Sequence, residues 1–351
     1  MSEPTESSPL AVHRQRVREL AAPGGALASR GPHATVSNPA WFRGDPPQPL
    51  FERRRLHARL LAEARAERPA VEQGRRAIVL AGPPGAGKST VLGTMLGDEA
   101  DRWLVIDADK FKVGLLREAI RDGSFEEQIK PPAVRELEAG GEKFAPLELA
   151  SLVHEESSFL AQRLREDAID QGLNIVVDSV MSNRQAALDM GERLAAGGYD
   201  VAVVDVETTY EISATRVEQR WRHVTQAYLG NEAGADLGGR WVPSEYTRSL
   251  FPTELQGSSV SESVARELAT TCPAVTRYEV HRVTDPSAPP VLESRREGPA
   301  AAVGQTRSLT QASFPSAPAT GSPARVGETG GRAEGRPAPV QRAPRDAGPS
   351  R

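Results

Sequence analysis

A single cysteine, Cys272, stands in 351 residues. That excludes a disulfide framework and a thiolate zinc site within one chain. No apolar run approaches the length of a membrane-spanning helix, and the acidic, polar opening Met1-Ser-Glu-Pro-Thr-Glu lacks the apolar core of a signal peptide. A cytoplasmic protein without membrane contact is the expectation. Basic charge is not in excess either: the formal net charge is -4, without the global positive footprint of a dedicated nucleic-acid binder. Nucleic acid is therefore not an expected partner, and helicase or polymerase readings lose weight.

Composition divides the chain in three. Residues 1–50 read as an accessory, partly flexible N-terminal extension, with a short mixed segment from Val12 to Leu20. Residues 285–351 are rich in Pro, Ala, Gly, Ser and Arg without a periodic apolar pattern, and read as a disordered, solubilising tail. The folded body is expected over 51–284. It begins with a lead-in helix whose Leu56, Leu60 and Leu61 share one face amid charge.

The most informative motif is a complete GxxxxGK[ST] loop: Gly82, Pro83, Pro84, Gly85, Ala86, Gly87, Lys88 and Ser89, followed by Thr90. It sits between an apolar strand-like run, Ala77 to Ala81, and the start of a helical pattern. Glycine-rich backbone can aim several N–H groups at one phosphate, and the helix start adds unpaired donors. Lys88 is then expected against the β- and γ-phosphates of ATP, with Ser89 on Mg²⁺. Further strand-like runs follow at Trp103–Asp107, Asn174–Val180, Asp200–Val206 and Arg277–Arg282, the last strand. Helical patterns separate them at 147–169, 184–196 and 210–228. This alternation predicts an α/β fold, a P-loop NTPase three-layer sandwich with a mostly parallel central sheet and a helical, arginine-bearing lid. A mostly helical lid fused to a small sheet fits the spacing less well.

Several side chains fall at the expected site. Asp178 ends the run Ile175-Val-Val and suits a carboxylate that assists Mg²⁺. Asp107 and Asp109 follow the strand taken to neighbour the loop; Asp109 is placed to accept a proton from an attacking hydroxyl, and Asp107 to cap the following helix. Arg216, Arg220, Arg222 and Arg240 are candidates to neutralise phosphate charge. Gly238 and Gly239 before Arg240 suit a closing segment. Glu156, early in the 147–169 helix, can accept from a substrate hydroxyl, although acids at helix N-termini are also favoured on electrostatic grounds alone.

Four stretches taken in order resemble the zeta-toxin family of small-molecule kinases over about residues 52–255. They are the phosphate loop; Asp107-Ala-Asp109-Lys-Phe-Lys112, similar to D-x-D-x-F-[RK]; His154-Glu-Glu156-Ser-Ser158, similar to an E-A-S helix start; and Gly172-Leu-Asn174-Ile-Val-Val-Asp178, similar to G-x-N-x-x-x-[DE]. The resemblance implies ATP-dependent phosphorylation of the 3'-hydroxyl of the N-acetylglucosamine moiety of UDP-N-acetylglucosamine. In it Asp109 is the base, Lys88, Arg220 and Arg240 act on the phosphates, Glu156 contacts the sugar, and Ser89 and Asp178 serve Mg²⁺. It also implies a small helical antitoxin as partner. Ser179-Val180 replaces a Gly-Thr pair common in the family. A nucleotide-dependent switch or nucleic-acid-stimulated ATPase is the alternative function.

Overall fold

A computed structural model of the chain describes residues 9–298. Helix α1 (Pro9–Leu20) leads to a two-residue hairpin, β1 (Phe42–Arg43) with β2 (Gln48–Pro49), and then to α2 (Phe51–Ala66). Strand β3 (Arg76–Ala81) enters the phosphate loop and α3 (Lys88–Leu96) leaves it. Next come β4 (Leu104–Asp107), α4 (Ala108–Asp122), α5 (Pro132–Ala139), α6 (His154–Asp170), β5 (Ile175–Asp178) and α7 (Arg184–Ala196). The C-terminal half holds β6 (Asp200–Thr208), α8 (Tyr210–Leu229), α9 (Ser244–Ser249), α10 (Val260–Thr271), β7 (Val275–Val283) and β8 (Val291–Glu297).

The six-stranded sheet runs β4-β5-β3-β6-β7-β8, with all pairs parallel except β7 with β8. Its central strands are unbroken apolar runs because helices cover both faces. Ile78, Val79, Leu80, Ile175, Val176, Val203 and Val204 are fully buried. Helix α6 packs over β4 and β5 with α4 against it, while α10 lies against α7 and strands β3, β6 and β7. The architecture is the expected P-loop sandwich, but the strand order differs in one respect. Strand β5, not β4, lies beside β3, so the strand that ends at Asp107 is one place removed from the loop strand. The register still aligns Leu80 with Asp178 and Asp178 with Asp107, which puts both carboxylates on one C-terminal edge.

Both expected domain boundaries need correction within the described residues. Residues 291–297 form β8 instead of belonging to a disordered tail, so β7 is not the last strand. As an edge strand β8 needs only one apolar face, and its polar sequence hid it. At the other end, α1 is built into the body. His13 is buried between Glu142 Oε1 at 2.9 Å and Glu148 at 3.0 Å, and Glu148 also accepts from Trp221 Nε1 at 2.9 Å. Val17 is fully buried, and Arg14 reaches Glu218 on α8 at 2.5 Å. The attachment is mainly ionic, which a search for apolar periodicity does not detect. Expectations for residues 1–8 and 299–351 lie outside the described residues.

Candidate active site

The phosphate loop takes the strained backbone its glycines permit. Gly82 has φ 129°, and a Cβ there would lie 2.0 Å from the carbonyl oxygen of Val206; Gly87, at φ 98°, caps α3 in the left-handed region. Pro84, Gly85, Ala86, Gly87, Lys88 and Ser89 line a cavity of about 1330 Å³, large enough for two substrates side by side. Gly82 and Pro83 are buried behind it, and Thr90 is exposed outside it. Lys88 Nζ donates to the Gly82 carbonyl at 2.8 Å and stands 3.9 Å from Asp178. Burial lowers the Lys88 pKa and raises that of Asp178, against their mutual attraction.

At the opposite lip, Asp107 caps α4 as expected, accepting from the Asp109 backbone N–H at 2.8 Å. This cap fixes the first turn of α4, from which the Asp109 carboxylate enters the cavity. Lys112 Nζ donates to its Oδ1 at 2.9 Å, and the Arg240 guanidinium pairs with Oδ2. Burial would raise the Asp109 pKa, but Lys112 and Arg240 outweigh it and the net shift is downward. Asp109 is therefore ionised at neutral pH, the form that accepts a proton. Asp107 is shifted the other way, by burial and by the charge of Asp109. Arg220 also lines the cavity; its pKa is lowered by burial and by Arg240.

Arg240 sits in a wall that includes Trp241, Val242, Tyr246 and Ser249. Tyr246 closes that wall by a 3.3 Å contact with Ser182 beyond β5. The preceding glycines are required by packing. A Cβ at Gly238 would lie 2.1 Å from that of Ala145, and one at Gly239 would lie 2.4 Å from the Trp221 carbonyl oxygen. Residues 21–30, after α1, supply further wall, including Leu27, Ser29 and Arg30, and α6 supplies His154 and Ser158. Burial lowers the His154 pKa, which leaves a neutral ring able to donate and accept.

Three expected residues do something else; the first, Arg222, donates to Glu218 on the same helix at 2.8 Å, outside the cavity lining. Glu156 is fully buried, outside the cavity lining. It accepts from Arg53 Nε and Nη2 at 2.5 and 2.8 Å and pairs with His57 Nε2 at 2.6 Å. It joins α6 to α2 and does not face a substrate. The cavity face of α6 is offset by two residues from it. Arg216, on α8, donates to the carbonyls of Gly85, Pro286 and Ala288 at 3.2, 2.9 and 2.7 Å. It thereby holds the segment before β8 against the phosphate loop. Lys112 had a sequence signal, the basic end of the D-x-D-x-F-[RK] stretch; residues 21–30 had none.

Fold and phosphate loop together define a P-loop α/β sandwich. Residues 126–272 match the family model described as Zeta toxin. The matched stretch spans Asp178, Arg220 and Arg240 and begins after the phosphate loop and Asp109. Among solved structures, the chain is similar to one in the AvrRxo1-ORF1:AvrRxo1-ORF2 crystal structure with sulphate ions, at 20% identity and TM-score 0.49, over 70% of this chain and 67% of that one. A second structure of that pair, with ATP, matches at 20% identity and TM-score 0.48 with the same coverage. A chain of the PezAT chromosomal toxin–antitoxin system of Streptococcus pneumoniae matches at 13% identity and TM-score 0.44, over 66% of this chain and 79% of that one. No curated protein matches.

Proposed function

We propose that the protein transfers the γ-phosphoryl group of ATP to a hydroxyl of a small molecule, with Asp109 as the base. The observation that carries this reading is the placement of an ionised Asp109, held by Lys112 and Arg240, in the same cavity as Lys88 and Ser89 of the phosphate loop. The acceptor hydroxyl oxygen attacks the γ-phosphorus, the bond from that phosphorus to the ADP oxygen breaks, and the hydroxyl proton passes to Asp109. Lys88, Arg220 and Arg240 balance charge on the phosphoryl oxygens. Positioning and electrostatics of this kind supply most of the acceleration in phosphoryl transfer.

The donor set suits Mg²⁺. Among the described residues no group of three or more His, Cys, Asp or Glu could cage a metal. A Ser89 hydroxyl with Asp178 and Asp107 nearby is the sparse oxygen set that Mg²⁺ uses when substrate phosphates complete its shell. Bound there, the ion would neutralise charge between the β- and γ-phosphates.

For the acceptor we propose the 3'-hydroxyl of the N-acetylglucosamine moiety of UDP-N-acetylglucosamine, on the strength of the family motifs. We propose a small helical antitoxin as partner on the same likeness, and a cytoplasmic location on the sequence pattern alone. The test is mass spectrometry of products after incubation with Mg-ATP and UDP-N-acetylglucosamine, beside Asp109→Asn. One added phosphate, absent with the variant, is the expected result. Transfer that survives in Asp109→Asn would remove the base, and ATP hydrolysis with no acceptor product would remove this sugar nucleotide.

A further inference from the structure

Helix α1 is fastened to the body at few points. Of its 12 residues only His13 and Val17 are buried. Its arginines make surface pairs, Arg14 with Glu218 at 2.5 Å and Arg18 with Glu245 at 3.3 Å, of a kind that contributes little. A helix of this length does not persist in water without packing. The seat of His13 therefore decides whether α1 stays in place.

That seat has a proton requirement. His13 Nδ1 lies 2.9 Å from Glu142 Oε1, and Nε2 lies 3.0 Å from both Glu148 oxygens. A carboxylate only accepts, and a neutral imidazole has a single N–H. Only the imidazolium donates to both carboxylates; in either neutral tautomer one ring nitrogen turns a lone pair toward a carboxylate oxygen. Glu148 is held where it is, 1% exposed and also accepting from Trp221 Nε1 on α8 and from the Ala145 backbone N–H. Arg16 stands 3.7 Å from Glu142 Oε2, and Phe144 and Trp221 supply the aromatic walls around the ring. Arginine does not titrate in the range where histidine does. Burial opposes the imidazolium, but the two carboxylates outweigh it and the His13 pKa is raised. The seat is therefore complete below the ordinary histidine value of 6.5 and is lost as the pH rises through the raised one.

What α1 holds is a wall of the cavity. Leu20, its last residue, accepts from the Leu27 backbone N–H at 2.8 Å, and Leu27, Ser29 and Arg30 line the cavity. The Leu27 carbonyl accepts from Ser151 Oγ at 2.6 Å. The wall is thus tied to Ser151 on one side and to α1 on the other. We propose that His13 is a proton-dependent latch: protonated on both ring nitrogens it holds α1 and the 21–30 wall in place, and on losing one proton it releases α1 and opens that side of the cavity. The latch requires nothing of the reaction proposed for the cavity.

The test is amide hydrogen exchange of the full chain, read by mass spectrometry at pH 6 and pH 9 with labelling times scaled to the intrinsic exchange rate. In the wild type, protection of residues 9–30 is expected to fall at least ~10-fold from the lower pH to the higher, while β3 and β6 keep theirs. In Glu142→Gln the new amide can donate to Nδ1 while Nε2–H donates to Glu148. That variant is expected to keep residues 9–30 protected at both pH values, whereas a merely structural ion pair would leave it weaker at both. His13→Gln, which carries no charge, is expected to be weakly protected over 9–30 at both. Equal wild-type protection at the two pH values overturns the latch, and so does a Glu142→Gln that loses protection with pH as the wild type does. A wild-type loss that extends to β3 and β6 overturns it as well, since the event would then be unfolding of the body.

Discussion

Replacing Glu156 by Gln separates a structural carboxylate from a substrate contact. The side chain is fully buried, and its pKa is held down at about 2, from 4.5: burial opposes ionisation, but His57 and Arg53 outweigh it. A shift of about 2.5 units corresponds to roughly 3 kcal/mol of folding stability. Glu156→Gln also leaves Arg53, 6% exposed and stacked over Trp41, without its counter-ion. Breaking one side of a buried pair costs about 3–5 kcal/mol. Urea unfolding at pH 7 should therefore show the variant less stable by about 3 kcal/mol. Because the folded pKa is depressed, the contribution is complete above about pH 4.5 and is lost as the pH falls through about 2, so the two proteins should converge in acid. The paired change Arg53→Met with Glu156→Leu should recover much of the loss. The KM for ATP and for acceptor should not move in Glu156→Gln. An unchanged unfolding midpoint together with an acceptor KM raised about 10-fold, some 1.4 kcal/mol of binding, would refute this reasoning and return the carboxylate to the cavity.

Arg240→Gln should lower kcat by about 10³-fold, as loss of a phosphate-directed arginine does elsewhere. Because Arg240 helps depress the Asp109 pKa, the acid limb of its kcat/KM profile should move to higher pH; an unmoved limb would separate the two groups. Glu207→Gln should stabilise the protein at pH 8. Burial, with Asp205 beside it, pushes the Glu207 carboxyl upward, so the native state keeps a proton that the unfolded chain has released. Stability should then fall as the pH rises from about 5 toward 9, at up to about 1.4 kcal/mol per unit, and urea unfolding of the variant should lack that slope. Arg216→Ala, which frees four carbonyls of the phosphate loop and the segment before β8, should raise the KM for ATP about 10-fold with kcat nearly unchanged.

Features written in contiguous residues were legible in the sequence. The phosphate loop, the β-branched strands and helix 184–196 need only local pattern, and the cap role of Asp107 follows from its place at a strand end. What failed depends on partners distant in the chain. An acid in the first turn of α6 was visible, but nothing local says that position 156 faces Arg53 on α2 while positions 154 and 158 face the cavity. Insertion of β5 between β4 and β3 is likewise set by how crossovers pack, not by any residue in β4. Gly238 and Gly239 carried a signal with two meanings, freedom to move and lack of room, and packing against Ala145 and Trp221 decides for the second. Arg216 and Arg220 are four residues apart on one helix and both line the cavity, yet the guanidinium of Arg216 is taken up by backbone carbonyls while that of Arg220 stands under the charge of Arg240 and Asp109.

The ionic seat of α1 also determines where the chain can be shortened. A protein beginning at residue 51, where the apolar patterning starts, would lose the His13 imidazole whose pKa is raised by Glu148 and Glu142 against burial. Glu148, 1% exposed, would keep only Trp221 and the Ala145 backbone as donors. The same cut would strip Leu27, Ser29 and Arg30 from the cavity. The smallest unit that keeps this cavity intact thus reaches well upstream of the phosphate loop, and a fragment chosen by motif boundaries would be both destabilised and open along the wall that residues 21–30 supply.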